Sequence, residues 1–263
     1  MAKRRGLCGM IVLVVSLAAA LAGAGRQDQN LDIPWEALDS AARQRLRDVT
    51  ERAIFSRDTL GITVKGQLVV FDFLIEHPDF AATAGRILGI VRYRVRKERE
   101  GLYWGDDAHG ATGTVELMHA ERGRRIYLAK GTFVKRFLPT IHGRIVLVMA
   151  YQHGTDQGGE DVVINDVRGY LRIDNAILGI LARIARPVVG PIVDKKVLRT
   201  FAAASRLTER ASHDPVRLYQ TLAASPEIKK SELQEFRKVL RCCAEAGGES
   251  QREASCRPTK NSC

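Results

Sequence analysis

Few residues of this 263-residue chain stand at spacings that do chemistry. Cys242, Cys243, Cys256 and Cys263 crowd the C-terminal end, while Cys8 stands alone near the start. Four cysteines in a chain that leaves the cytoplasm are expected to form disulfides, for which three pairings exist. Neighbouring Cys242 and Cys243 are expected to pair forward to Cys256 and Cys263 rather than with each other. A four-thiolate metal site is disfavoured, because no C-x-x-C spacing occurs.

The six histidines, His77, His109, His119, His142, His153 and His213, are scattered. None forms H-E-x-x-H and no pair sits four apart on an expected helix, so no metal is expected. His77 reads as a helix terminus and His142 as a turn residue. Asp106 and Asp107 follow Trp104-Gly105. As an acid/base pair they would need burial to shift their pKa, and a pair in a turn is solvated. There is no G-x-S-x-G, phosphate loop or dinucleotide glycine fingerprint, so neither a catalytic residue nor a cofactor is expected. Tyr93, Tyr103, Trp104, Tyr127 and Tyr151 each combine aromatic surface with a polar handle, and one or two are expected to orient a ligand.

Compartment and charge bound the partners. Lys3, Arg4 and Arg5 precede an uncharged apolar run from Leu7 that ends in Ala22-Gly23-Ala24. This is the layout of a secretory signal peptide over residues 1–24, cleaved after Ala24, so a periplasmic or secreted protein is expected; the alternative is an uncleaved anchor. The formal net charge of +11 falls to +8 without those three cations. A basic balance permits contact with an anionic membrane surface, and export disfavours nucleic acid. Arg92, Arg94 and Arg96 form a basic comb on one side of a strand, suited to solvent or to lipid head groups.

These residues must be positioned by a definite order of elements. Trp35 to Phe55 has apolar residues at three- and four-residue steps and predicts a helix, within an N-terminal helical segment 31–57. Thr59 to Lys65 alternates as a strand. Leu68 to Glu76 and Pro78 to Leu88 predict two short helices, the second with proline at its start and Gly89 at its stop. The period then becomes two around Val91, Tyr93 and Val95, again at Gly110 to His119, Arg125 to Phe133, Gly143 to Gln152, and Asp161 to Ile173. The connectors are too short for parallel crossovers, so about six antiparallel strands are expected.

From Asn175 to Leu207 the chain is strongly apolar, yet Arg183, Arg186 and Asp194 to Lys196 interrupt it, which excludes a spanning helix. Ile177, Leu181, Ile184, Val188 and Ile192 repeat at helical spacing and suit a helix that covers a sheet. Pro187 and Pro191 divide it, with a second helix from about Pro191 to Ala211. Short helices from Pro215 through Ala223 and from Pro226 through about Cys243 follow, and the polar remainder completes a helical, cysteine-containing tail over residues 225–263.

The order β-α-α-β-β-β-β-β-α resembles the helix-grip fold of the START-like (SRPBCC, polyketide cyclase and lipid-transfer) superfamily, over roughly Thr59 to Ala211 within a domain of residues 58–224. That resemblance implies an α+β fold: a curved antiparallel sheet wrapped around a long C-terminal helix, with an apolar cavity between them. The helical lead and the cysteine tail are departures. A sheet with one apolar face under an amphipathic helix encloses a space that fills with side chains or holds a ligand. Gly113 and Gly169 on the inner face either leave room there or mark bends.

The expected function is an exported, non-enzymatic binding protein for a lipid or other hydrophobic small molecule. Val115, Leu117, Val148, Val167, Leu171, Ile177, Leu181, Ile184 and Val188 are the expected lining. The alternatives are a cyclase- or hydrolase-type enzyme in the same cavity, with His119 or Asp166 as titrating groups, and a scaffold with a filled core.

Overall fold

The computed structural model describes residues 30–134, 136, 139–174 and 197–246, with side chains through residue 241. The described residues from Leu31 onward belong to one compact unit. The architecture is α+β. A 3-10 turn at Trp35–Ala37 and helix α1 (Ser40–Thr50) lead into strand β1 (Phe55–Lys65), then helices α2 (Leu68–Glu76) and α3 (Pro78–Ile87). Six strands follow: β2 (Arg94–Arg99), β3 (Leu102–Asp106), β4 (Ala111–Glu121), β5 (Arg124–Phe133), β6 (Ile141–Thr155) and β7 (Asp161–Ile173). Helix α4, helical over residues 197–213, α5 (Pro215–Ala223) and α6 (Lys230–Ala246) complete the described chain. Among the described residues no helix is long and apolar enough to cross a membrane.

The sheet has seven strands in the order β1-β7-β6-β5-β4-β3-β2, every neighbour antiparallel. The strand beyond the expected six is β3. Leu102–Asp106 is short and follows a turn at Gly101, whose φ of +69° favours glycine. Read singly, that turn merges β2 with the loop beyond it. The expected helix over Trp35 to Phe55 is also corrected. The Asp39 carboxylate accepts from the Ala42 amide at 2.7 Å and starts α1 at Ser40. At the other end Ile54 donates to the Leu171 carbonyl at 2.9 Å, and Phe55 pairs with Leu171, so sheet pairing replaces the helical period. His142 lies in β6 rather than in a turn, whereas His77 stands between α2 and α3 as expected.

Side chains on a strand alternate between faces, and partners directly opposite share one. The outer face packs against α1: Leu46 and Val49 join Ile126, Leu128, Val146, Val148 and Ala150 in one buried cluster. Ion pairs clamp the helix there. Asp48 meets Arg144 at 2.6 Å and also Arg172, and hydrogen bonding from Arg172 holds its carboxyl below the usual range.

The inner face packs against α2 and α4. Val197, Phe201 and Ala204 lie on a cluster of Ile62, Val64, Phe71, Met149, Tyr151, Val163 and Val167. Helix α4 is stitched to the end of β1: Lys65 N–H donates to Ser205 Oγ at 2.9 Å, and Thr208 Oγ1 donates to the Lys65 carbonyl. Gly66 follows with φ +109°, and a Cβ there would stand 2.9 Å from the Thr208 backbone, so glycine lets the chain turn under the helix. A second core joins the helices to each other. Phe73, Phe80 and Phe236 stack with centroids 5.0–5.3 Å apart among Leu207, Leu218, Leu222 and Leu240, which places α6 on α2 and α3.

Candidate ligand-binding face

Register sorts the inner face into rows that cross the sheet. Tyr151 and Asn165 share one row; Arg125, Met149 and Val167 the next; then Leu117, Tyr127, Leu147 and Gly169; then Tyr103, Val115, Ala129, Ile145 and Leu171; and last Gly105, Gly113, Gly131 and Gly143. On β4 to β6 burial declines along this series, whereas Tyr103 on β3 stays buried at 8% exposure. Tyr151, Met149 and Val167 are at most 5% exposed beneath α2 and α4. Leu117, Tyr127 and Leu147 are half-buried. Val115 is 38% and Ile145 42% exposed, although both are aliphatic. The inner face is therefore filled at the α2 end and uncovered by described residues toward the glycine row.

That row answers the question posed by Gly113. A Cβ there would stand 2.3 Å from the Lys130 carbonyl oxygen and 2.6 Å from the Gly131 Cα, and one on Gly131 would stand 2.5 Å from the Thr112 oxygen. Neighbouring backbone folds over these α-carbons, so the sheet creases along the row and only glycine fits. Gly169 is different: among the described residues nothing lies within 4 Å of where its Cβ would be. It leaves room.

Of the expected lining residues, Val115, Leu117, Val167 and Leu171 share the inner face, with Val167 in its filled part. Val148 is a correction. It opposes Ile126 and Arg168 and is fully buried against α1 on the outer face; Met149, one position on, is the inner-face residue. Four apolar residues in succession, Val146 to Met149, hide the alternation, because both faces of β6 are covered around Val148 and Met149. Ile177, Leu181, Ile184 and Val188 lie outside the described residues. So do Cys256 and Cys263, and of Cys242 and Cys243 only the backbone, in α6, is described.

A polar cluster closes the filled end, and nothing in its spacing announced it. Tyr151 donates to Asp72 Oδ1 at 2.7 Å, and the Arg125 guanidinium lies 5.6 Å from the Tyr151 ring centroid. Arg125 also donates to the Glu121 and Arg124 carbonyls and, at 3.2 Å, to Glu76 Oε1. Tyr103 donates to the Glu76 carbonyl at 3.2 Å. Burial pushes the Asp72 carboxyl above its usual range and the Tyr127 phenol up to about 12. These residues come from α2, β3, β5 and β6, brought together where α2 crosses the sheet.

The groups weighed for catalysis have structural uses. Asp106 Oδ1 accepts from Ala108 N–H, and Asp107 Oδ1 from His109 and Ala111 N–H, which closes the β3–β4 turn. Asp166 accepts from the Gly61 amide at 2.6 Å, at the shift of register between β1 and β7. His119 opposes Ile126, an outer-face residue. Among the described residues no group of three or more His, Cys, Asp or Glu is placed to hold a metal ion.

No family model and no curated protein matches the chain. Among solved structures it is similar to a conserved protein from Geobacillus kaustophilus, at 11% identity and a TM-score of 0.44, over 60% of this chain and 97% of that one. It is also similar to Ara h 8.0201, at 8% identity and a TM-score of 0.37, over 59% and 95%. A third likeness is to the di-domain ARO/CYC StfQ from the steffimycin biosynthetic pathway, at 14% identity and a TM-score of 0.34, over 65% and 55%. The helix-grip assignment itself rests on the sheet order and on the seating of α4 against the inner face.

Proposed function

We propose that the protein binds a hydrophobic small molecule or lipid on the inner face of its sheet, without converting it. One observation carries this reading: burial runs out along that face, so that Val115 and Ile145 stay exposed at the end where Gly169 leaves space. Aliphatic side chains presented inside a fold, on a face that also carries Tyr103 and Tyr127, match the composition of a small-molecule site. A wholly filled core would bury these rows as it buries Met149 and Val167. The acid/base work of an enzyme in the same place would fall to Asp72 and Tyr151, but their bond to each other gives both a structural use.

Export is part of the proposal, and its support is the charged, apolar and small-residue layout of residues 3–24. The basic strand β2, with Arg94 and Arg96 exposed, suits peripheral contact with an anionic membrane surface.

The test is native mass spectrometry of the chain lacking residues 1–24, produced in an oxidising compartment, before and after delipidation. A bound mass lost on delipidation is the expected result. A bare mass, together with failure of an apolar fluorescent probe to saturate, would overturn the proposal.

A further inference from the structure

Three tyrosines lie on the inner face in successive parts of the sheet, and their hydroxyls have unequal fates. Tyr103 donates to the Glu76 carbonyl and Tyr151 to the Asp72 carboxylate. The Tyr127 hydroxyl makes no hydrogen bond among the described residues, although its ring lies between Leu117 and Leu147 at the border of the filled and unfilled rows. A half-buried phenol whose hydroxyl has no protein partner among the described residues can donate to an acceptor.

Among the described residues the charges around it are already balanced. Arg125, the buried cation in the adjoining row, spends its donors on two carbonyls and Glu76 and lies against the Tyr151 ring. Asp72 and Glu76 flank it, two acidic side chains to one guanidinium. Lys97, across from Tyr103 on β2, is bonded to Glu100 at 2.7 Å. Arg57 opposes Gly169 on the edge strand β1 and is exposed and engaged. Its charge is solvated rather than presented to a dry site.

An anionic ligand head entering here would lose hydration without meeting, among the described residues, a desolvated, uncommitted cation, which is unfavourable. We infer that the inner-face site selects a neutral hydrophobic molecule carrying one hydrogen-bond acceptor, a carbonyl or hydroxyl oxygen bound by Tyr127, and discriminates against carboxylates of the same size. This inference rests on the proposed binding function.

The experiment compares pyrene, acetylpyrene and pyrenecarboxylate by fluorescence titration at neutral pH, on the parent protein and on Tyr127→Phe, with circular dichroism to show that the variant is folded. Acetylpyrene is expected to bind about tenfold tighter than the carboxylate, and Tyr127→Phe is expected to weaken acetylpyrene by about tenfold while leaving pyrene unchanged. Carboxylate binding as tight as that of the ketone would overturn the inference and leave the binding function standing, and loss of that binding in Arg57→Gln would assign the anion to the sheet edge. An unchanged ketone-to-pyrene ratio in Tyr127→Phe would overturn it as well. Failure of all three probes to bind the parent protein would refute the binding function itself.

Discussion

Gly113 and Gly169 lie on the same face of one sheet, and alanine is expected to act on them with opposite sign. Neither has φ in the left-handed region, so the difference is one of space alone. At Gly113 the added carbon would stand 2.3 Å from a carbonyl oxygen of β5 and 2.6 Å from a backbone α-carbon. No rotamer relieves contacts between backbone atoms, so the strands must part. Overpacking of this kind costs about 1–3 kcal/mol, and the rigid partners place Gly113→Ala at the upper end. For a domain of this size that lowers Tm by about 5–10 °C.

At Gly169 the added carbon meets nothing within 4 Å among the described residues. Gly169→Ala then loses only unfolded-chain freedom and is expected to raise stability by about 0.4–1 kcal/mol. Urea and thermal unfolding followed by circular dichroism read both values. Gly169→Leu extends the test to function, because a side chain grown into that space should abolish probe binding while Tm holds. Equal destabilisation by both alanines would refute the distinction between a crease and an open position. Unimpaired probe binding by Gly169→Leu would place the ligand elsewhere.

Three further outcomes follow from buried groups and ion pairs. The folded-state pKa of Asp72 is raised, chiefly by burial, so its stabilising contribution is complete below the unfolded value of 3.8 and is lost as pH rises through the folded value. Asp72→Asn, which keeps an acceptor for Tyr151, should therefore be more stable than the parent at neutral pH, and the gain should vanish in acid; a gain that grows in acid contradicts this. Asp58 shows the reverse sign, because two hydrogen bonds of 2.8 Å from Arg168 depress its pKa. Its contribution is present above 3.8 and lost as pH falls through the folded value, so Asp58→Asn should be less stable at neutral pH and match the parent in strong acid, as urea midpoints across pH would show. Phe236→Ala empties the centre of the helical core and should cost about 3–5 kcal/mol; a loss under 1 kcal/mol would mean that α6 does not depend on that contact.

The parts of the fold that read from sequence are those whose local signals agree with their packing. Leu68–Glu76 is apolar apart from Asp72 and Glu76, and Pro78 restarts the chain, so α2 and α3 emerge with their observed bounds almost unchanged. Strand β7 alternates in sequence as it does in space, which put Val167 and Leu171 on the correct face. Strand β6 is covered on both sides around Val148 and Met149, and its unbroken apolar run put Val148 on the wrong one. The polar cluster was illegible for another reason. Asp72, Arg125 and Tyr151 come from three separate elements, and no short-range spacing records a meeting made by topology. Tyr127 was visible as an aromatic with a handle, but not as a tyrosine whose hydroxyl has no hydrogen-bond partner among the described residues.

The pairing of β1 with β7 also bears on how the molecule is assembled. Strands β2 to β7 are joined neighbour to neighbour, so each hairpin can close from adjacent chain. β1 is made first and paired last: the Asp58–Arg168 contact spans 110 positions. Loop closure over such a distance is slow compared with a hairpin, so the meander is expected to form ahead of it. Until β1 docks, β7 presents an unpaired ladder edge next to apolar Val163 and Val167. Such an edge accepts any strand of compatible pattern, including β1 of a second copy, and exchange of that one strand is the error to which this topology exposes the chain.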